Sequence, residues 1–159
     1  MTDIRLSAVV VRHEEEPEIL LMRHRRRGRS YTVLPGGKVN RGETLAATFH
    51  RELLEETGLL VSMDCLALIA DIISPDESRH VVNLIFRGSV TGGELLTSLR
   101  DSPIAFERHD QPFFSPVRAL GEQSLYPAIA TELSEIILKP QYMPPVYVGN
   151  VWRDFDDEN

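Results

Sequence analysis

The chain has 159 residues, 42% of them apolar, which suits one domain with a real hydrophobic core. Its net charge of −7 argues against a general nucleic-acid-binding surface, and no apolar run reaches membrane-spanning length. The first residues, MTDIRLSAVVVRHEEE, place no basic segment ahead of their short apolar run, so they read as a strand and not as a secretory leader. The single cysteine, Cys65, excludes an internal disulfide framework and fits a reducing, cytoplasmic setting. Its apolar surroundings (CLALIA) predict a buried thiol.

Residues 4–12 are rich in Val and Ile and predict a strand. A polar turn (13–17) and a second strand (18–24) complete a hairpin. Residues 25–30 read as a basic loop broken at Gly28, and 31–34 as a short strand stopped by Pro35-Gly36-Gly37. A helix is expected over 43–57 with Gly58 as its C-terminal cap. At roughly 100° per residue its apolar face gathers Ala46, Phe49, Leu53 and Thr57, widened by Ala47 and Leu54. Glu52, Glu55 and Glu56 share a separate face, and His50 points elsewhere, toward solvent. Residues 59–73 are long for one strand and predict two strands or one bent strand. A loop around Pro75 precedes a strand at 79–90, a turn at 91–93 and a long loop at 94–111 with room for a short helix. Residues 113–118 predict a last strand and 127–139 a helix with Pro127 in its first position. A Pro-rich extension (141–159) with an acidic, frayed end follows the domain (1–140) without forming a second one. Hairpins mixed with helices, and no repeated βαβ unit, indicate an α/β domain around a mixed sheet.

Two concentrations of charge bear on chemistry. Five of the 17 basic residues are Arg23, Arg25, Arg26, Arg27 and Arg29, which suit either an anion or a solvated hairpin tip. The second concentration is Glu52, Glu55 and Glu56. Like charges one helical turn apart repel, and the last turn of a helix disfavours anions. A hard dication would reverse both penalties, and all-oxygen ligands point to magnesium or manganese. By itself the cluster also reads as a solvated acidic helix end. Gly36 and Gly37 add a turn whose backbone can approach a ligand closely, and Arg51 can pair with Glu43 or a neighbouring glutamate.

Gly37, Glu43 and the run Arg51-Glu52-Leu53-Leu54-Glu55-Glu56-Thr57-Gly58-Leu59 resemble the signature box of the Nudix hydrolases at every fixed position. Leu34-Pro35-Gly36 ahead of the box also looks like the family, and the strand pattern agrees over most of the chain. The resemblance implies an α/β/α sandwich around a mixed β-sheet. It implies hydrolysis of the pyrophosphate in a nucleoside diphosphate linked to another moiety. Glu52 and Glu56 would then be the principal ligands of Mg2+ (or Mn2+), Glu55 would stand beside them, and Gly36 or Gly37 would add a carbonyl. Glu43 and Arg51 would be the supporting catalytic pair. The general base would be Glu52 or a distant carboxylate: Glu94, Glu107 or Asp110.

The substrate is less legible. Some ADP-ribose hydrolases of this family carry a proline about sixteen residues past the box, and Pro75 stands there. Arg79 and His80 follow it as candidate phosphate or ribose contacts, the alternative being an exposed strand start. Arg23 and Arg25 are candidates for the distal half, and Tyr31 for stacking on a base or for the core. Trp152 is expected to pack on the domain or on a second subunit. The expectation is an ADP-ribose or nucleotide-sugar pyrophosphatase acting on a small nucleotide, with no long nucleic acid and no membrane as partner, and with a homodimer left open. The alternatives are a MutT-like nucleoside triphosphate pyrophosphatase and a non-catalytic nucleotide sensor.

Overall fold

The computed structural model describes residues 1–26, 28–96, 111–139 and 145–153. The first apolar run becomes β1 (Thr2–Arg12), followed by β2 (Glu18–Arg26) and β3 (Arg29–Val33). After the glycine turn come α1 (Leu45–Thr57), β4 (Leu59–Ile73) and β5 (His80–Gly93). The chain continues with β6 (Gln111–Pro116), a 3-10 helix (Val117–Glu122), α2 (Ala130–Leu138) and β7 (Val146–Asn150).

The strands form one sheet in the order β3-β2-β1-β5-β4-β7, with β6 pairing β2. β1 runs parallel to β5 and β4 parallel to β7, whereas β4 and β5, β1 and β2, and β2 and β3 are antiparallel. The sheet is therefore mixed, as expected. α1 buries Phe49 and Leu53 on one face, against Leu6, Ala8, Val10, Leu20, Val61 and Phe86. α2 buries Leu133 and Ile136 on the other, with Val9, Ile19, Leu21, Leu68 and Ile85. Each of the Val, Leu, Ile and Phe side chains among them contributes about 1.5–3 kcal/mol by leaving water. Helix, sheet and helix give the α/β/α sandwich.

One irregularity positions the site. β1 and β2 pair only at Val11↔Ile19 and Arg12↔Glu18. Beyond that point Pro35 to Val39 becomes β1's neighbour: Ala8 N donates to Pro35 O, Leu6 N to Gly37 O and Val39 N to Ile4 O, each at 2.9 Å. The glycine turn is thus fastened to the central strand by backbone bonds.

Several expectations need correction. Residues 25–30 are not a loop, because β2 and β3 keep pairing to Arg26↔Arg29 around Gly28, whose φ of +79° suits a tight turn. α1 starts at Leu45 and not Glu43, because the Thr44 hydroxyl accepts from Ala47 N and caps it. Its buried face is Thr48, Phe49, Leu53 and Thr57; Ala46, Ala47 and Leu54 are exposed. Residues 59–73 take the second of the two expected forms, one strand bent by register shifts, but Cys65 is exposed and not buried, because it sits at a shift where the inward–outward alternation breaks. β5 extends to Gly93 through the expected turn. β6 starts at Gln111 and is not the last strand, since β7 in the Pro-rich extension joins the sheet edge. α2 starts three residues beyond Pro127. Most of the loop 94–111, including residues 97–110, lies outside the described residues, as do 154–159.

Candidate active site

α1 ends where the sequence indicates. Gly58 adopts φ 75° and its N–H bonds to Leu54 O, while the buried Thr57 hydroxyl donates to Leu53 O and accepts from Leu59 N. This last turn points Glu52 and Glu56 at the glycine turn. Gly36 N donates to Glu56 Oε2 at 2.7 Å. A Cβ built on Gly37 would overlap the carboxyl carbon and both oxygens of Glu52, so that carboxylate lies directly on the Gly37 backbone. Gly36 itself has φ +143°, and a Cβ there would run into Leu6 O and Ser7 Cα of β1. One glycine is required by β1 and the other by a glutamate.

Arg51 organises the remaining carboxylates. Its Nε and Nη2 hold Glu43 Oε1 and Oε2 at 2.7 and 2.8 Å, the two-pronged pairing that suits a guanidinium. Its Nη1 donates to Glu52 Oε1 at 2.7 Å and lies 3.4 Å from Glu55 Oε2. Glu43 also accepts from Thr48 Oγ1 at 2.9 Å and Asn40 N at 3.2 Å. The hydrogen bonds from Arg51 are the largest cause holding the Glu43 carboxyl down, from 4.5 to about 2. The same partner raises Arg51. The cluster therefore divides: Glu52 and Glu56 reach the turn, while Glu55 leans to Arg51. Among the described residues no three Asp, Glu, His or Cys side chains form a ligand set by themselves.

Arg5 is a residue that the sequence reading missed. Its guanidinium donates to Gly36 O. An arginine inside a strand carries no local signal for this. It becomes legible only once Pro35 to Val39 is known to lie beside β1.

The other candidates are dispersed. Glu94 is exposed, but its backbone sits against Gly58, and Leu96 N donates to Thr57 O, so this segment adjoins the carboxylate end of α1. Glu107 and Asp110 lie outside the described residues. Arg23 and Arg25 are exposed on β2, with Arg23 lying over the Phe113 ring. Tyr31 is half-buried against Met22 and Val33, its ring 5.5 Å from that of His24. Arg79 is exposed at the β4–β5 turn, its N–H donating to the Ser74 hydroxyl. His80 pairs in register with Thr2, roughly 13 Å along the sheet from Leu6 and its glycine partner. The His80 ring meets Asp71 at 2.8 Å and Thr2 at 3.3 Å. Asp71 also accepts from Tyr147 at 2.6 Å; that bond first, and His80 second, lowers the Asp71 carboxyl. These contacts make His80 part of the fastening of β7. His50 is exposed, as expected, beside a cleft of about 540 Å³ shared with Arg51, Leu54 and Leu60. A larger groove, about 950 Å³, lies at the β1–β2 turn. Its walls carry Glu14, Glu15, Glu16 and Glu18, and its two arginines, Arg12 and Arg118, are paired with Glu18 and Glu16, which leaves it net negative toward a phosphate.

Comparison with known proteins places the sequence and the fold. A curated ADP-ribose pyrophosphatase of Methanocaldococcus jannaschii is 35% identical over 83 residues, 52% of this chain and 49% of that protein. The chain thus matches about half the length of that relative. The MutT protein of Bacillus halodurans superposes with a TM-score of 0.65 at 22% identity, over 86% of this chain and 83% of that one. An ADP-ribose pyrophosphatase of Streptococcus suis gives 0.66 at 18% identity, over 93% and 98%. Residues 3–130 match the NUDIX domain. With the unbroken run from Gly37 to Leu59, that match makes the chain a member of the Nudix hydrolase family.

Proposed function

We propose that the protein is a divalent-metal-dependent pyrophosphohydrolase that cleaves ADP-ribose or a related nucleoside diphosphate derivative. The observation that carries this reading is the meeting of Glu52 and Glu56 on the Gly36–Gly37 backbone, with Arg51 anchored by Glu43 behind them. The donor set fits Mg2+ or Mn2+: two carboxylates and neighbouring carbonyl oxygens, all hard, with no sulfur or imidazole among them. Glu52 and Glu56 would hold the ion with Glu55 standing by; Gly37 O already accepts from Leu6 N and Gly36 O from Arg5, so a glycine carbonyl would join through its second lone pair. The ion supplies charge neutralisation at the phosphoryl oxygens and acidifies bound water. Arg51, fixed by Glu43, holds the Glu52 rotamer and offsets the repulsion among the glutamates. A carboxylate accepts the proton of the attacking water, and Glu52 and Glu94 are the two described candidates near the helix end. The name of the archaeal relative supports ADP-ribose as the substrate to test first.

The test is a panel of nucleoside diphosphate derivatives and triphosphates with magnesium, read by product mass and by phosphate release after a coupling phosphatase that cleaves the monoester products. AMP and ribose 5-phosphate from ADP-ribose are the expected products. EDTA should abolish turnover, and Glu52→Gln or Glu56→Gln should lower it at least about 100-fold with the melting curve retained. Cleavage of triphosphates alone would replace the substrate. Wild-type rates in both glutamine variants would end the mechanism.

A further inference from the structure

An aromatic cluster adjoins the carboxylate end of α1. Tyr31, Leu96 and Tyr126 pack on Met22 and Val33. Leu96 N bonds to Thr57 O, one residue past Glu56. Tyr126 N donates to Thr32 O at 2.8 Å, and Thr32 lies four residues before Gly36, within roughly 14 Å of it along the chain. The Tyr126 ring meets Trp152 edge-on, with centroids 6.2 Å apart. Trp152 arrives from the extension after β7, beyond the matched domain. Its backbone is pinned: Trp152 N donates to Asn150 Oδ1 and Val151 N to Asp71 O.

Two polar atoms on residues contacting Tyr126 are buried and have no partner among the described residues: Trp152 Nε1 and Thr32 Oγ1. Thr32 as a whole is only 4% exposed. A buried donor without an acceptor is costly, and native structures keep few of them. Here two lie on residues that contact Tyr126, and one of them, Thr32, is within a nucleotide's length of the glycine turn along the chain. A planar ring bearing hydrogen-bond acceptors would satisfy the indole N–H and lie against apolar faces. Resting on the reading of the glutamate site as nucleotide-hydrolysing, we propose that Trp152, with Tyr126, contacts the nucleobase of the substrate. The C-terminal extension thereby determines specificity for the base-bearing half.

Trp152 is the sole tryptophan, so its emission reports on the contact directly. AMP added to the wild-type protein should shift that emission, and ribose 5-phosphate, which has no base, should not. Trp152→Phe keeps a ring against Tyr126 and removes only the N–H. Its KM for ADP-ribose should rise about tenfold, the worth of one such bond, while kcat moves less than twofold. Hydrolysis of ADP-ribose by wild type with no emission response to AMP and an unaltered KM in Trp152→Phe overturns the base contact and leaves the hydrolase standing. An AMP response in a wild type that hydrolyses none of the panel supports the contact and overturns the hydrolase. The emission measurement needs no variant, so a misfolded Trp152→Phe does not blunt the test.

Discussion

Replacing Gly37 by alanine separates the glycine turn's structural task from its chemical one. Gly37 lies outside the left-handed region, so alanine adopts its backbone without strain. The three atoms nearest the added Cβ are the carboxyl carbon and oxygens of Glu52, all inside the 3.0 Å that real Cβ atoms respect. These atoms end a flexible side chain and can swing away, by about 1 Å or more. The expected stability cost is therefore small, about 1 kcal/mol or less. The expected kinetic cost is large, since a 1 Å misplacement of a positioned group costs about 100-fold, or about 2.7 kcal/mol of barrier. Gly36→Ala is the contrast. There the obstacles are backbone atoms of Leu6 and Ser7, and φ is +143°. Neither can yield, so about 2 kcal/mol or more of stability is lost and melting falls by about 5 °C or more. Initial rates with ADP-ribose and magnesium, paired with thermal melts, read both variants. A Gly37→Ala protein with a wild-type kcat, or one that melts as early as Gly36→Ala, would refute the reasoning.

Two further outcomes follow from the charge network. The Glu43 carboxyl sits near 2 in the fold against an ordinary 4.5, so its pairing stabilises the protein above about pH 4.5 and is lost as pH falls toward 2. The melting gap between wild type and Glu43→Gln should be full at neutral pH and close across that window; a gap that persists at pH 2 contradicts the assignment. Tyr147→Phe removes the 2.6 Å bond to Asp71 that helps hold β7. Acrylamide should then quench Trp152 more readily, and equal quenching in both proteins would show that β7 is held without that bond.

The site was legible where it is local. Glu43, Arg51 and the three glutamates lie within one helix and its approach, so spacing along the chain is spacing in space. The fold class was legible for a related reason: alternating apolar runs and glycine punctuation mark strands and turns wherever residues stay consecutive. What escaped depends on strands distant in sequence. Arg5 meets Gly36 only because β1 and β2 diverge. β7 was hidden because two prolines precede a run, VYVGN, that is too short to announce a strand before its partner β4 is known. The outward turn of Cys65 follows from register shifts that periodicity cannot foresee. The exposed side of α1 was misread at Ala46, Ala47 and Leu54 because apolar residues on a helix mark its inner face only when the sheet beneath is wide enough to cover them.

The C-terminal strand also closes an edge of the sheet. β4 is fifteen residues long, and from Leu68 to Ile73 its outer backbone groups are met, among the described residues, by β7, the Asn150 side chain and Val151. Cut the chain where the matched domain ends, at residue 130, or after Leu138, and that row of amides and carbonyls stands open, with Leu68, Ala70 and Ile72 behind it. An open apolar strand edge is a template for a second copy. A protein trimmed to its family boundary is therefore expected to self-associate edge to edge, where the whole chain closes that edge with its own last strand.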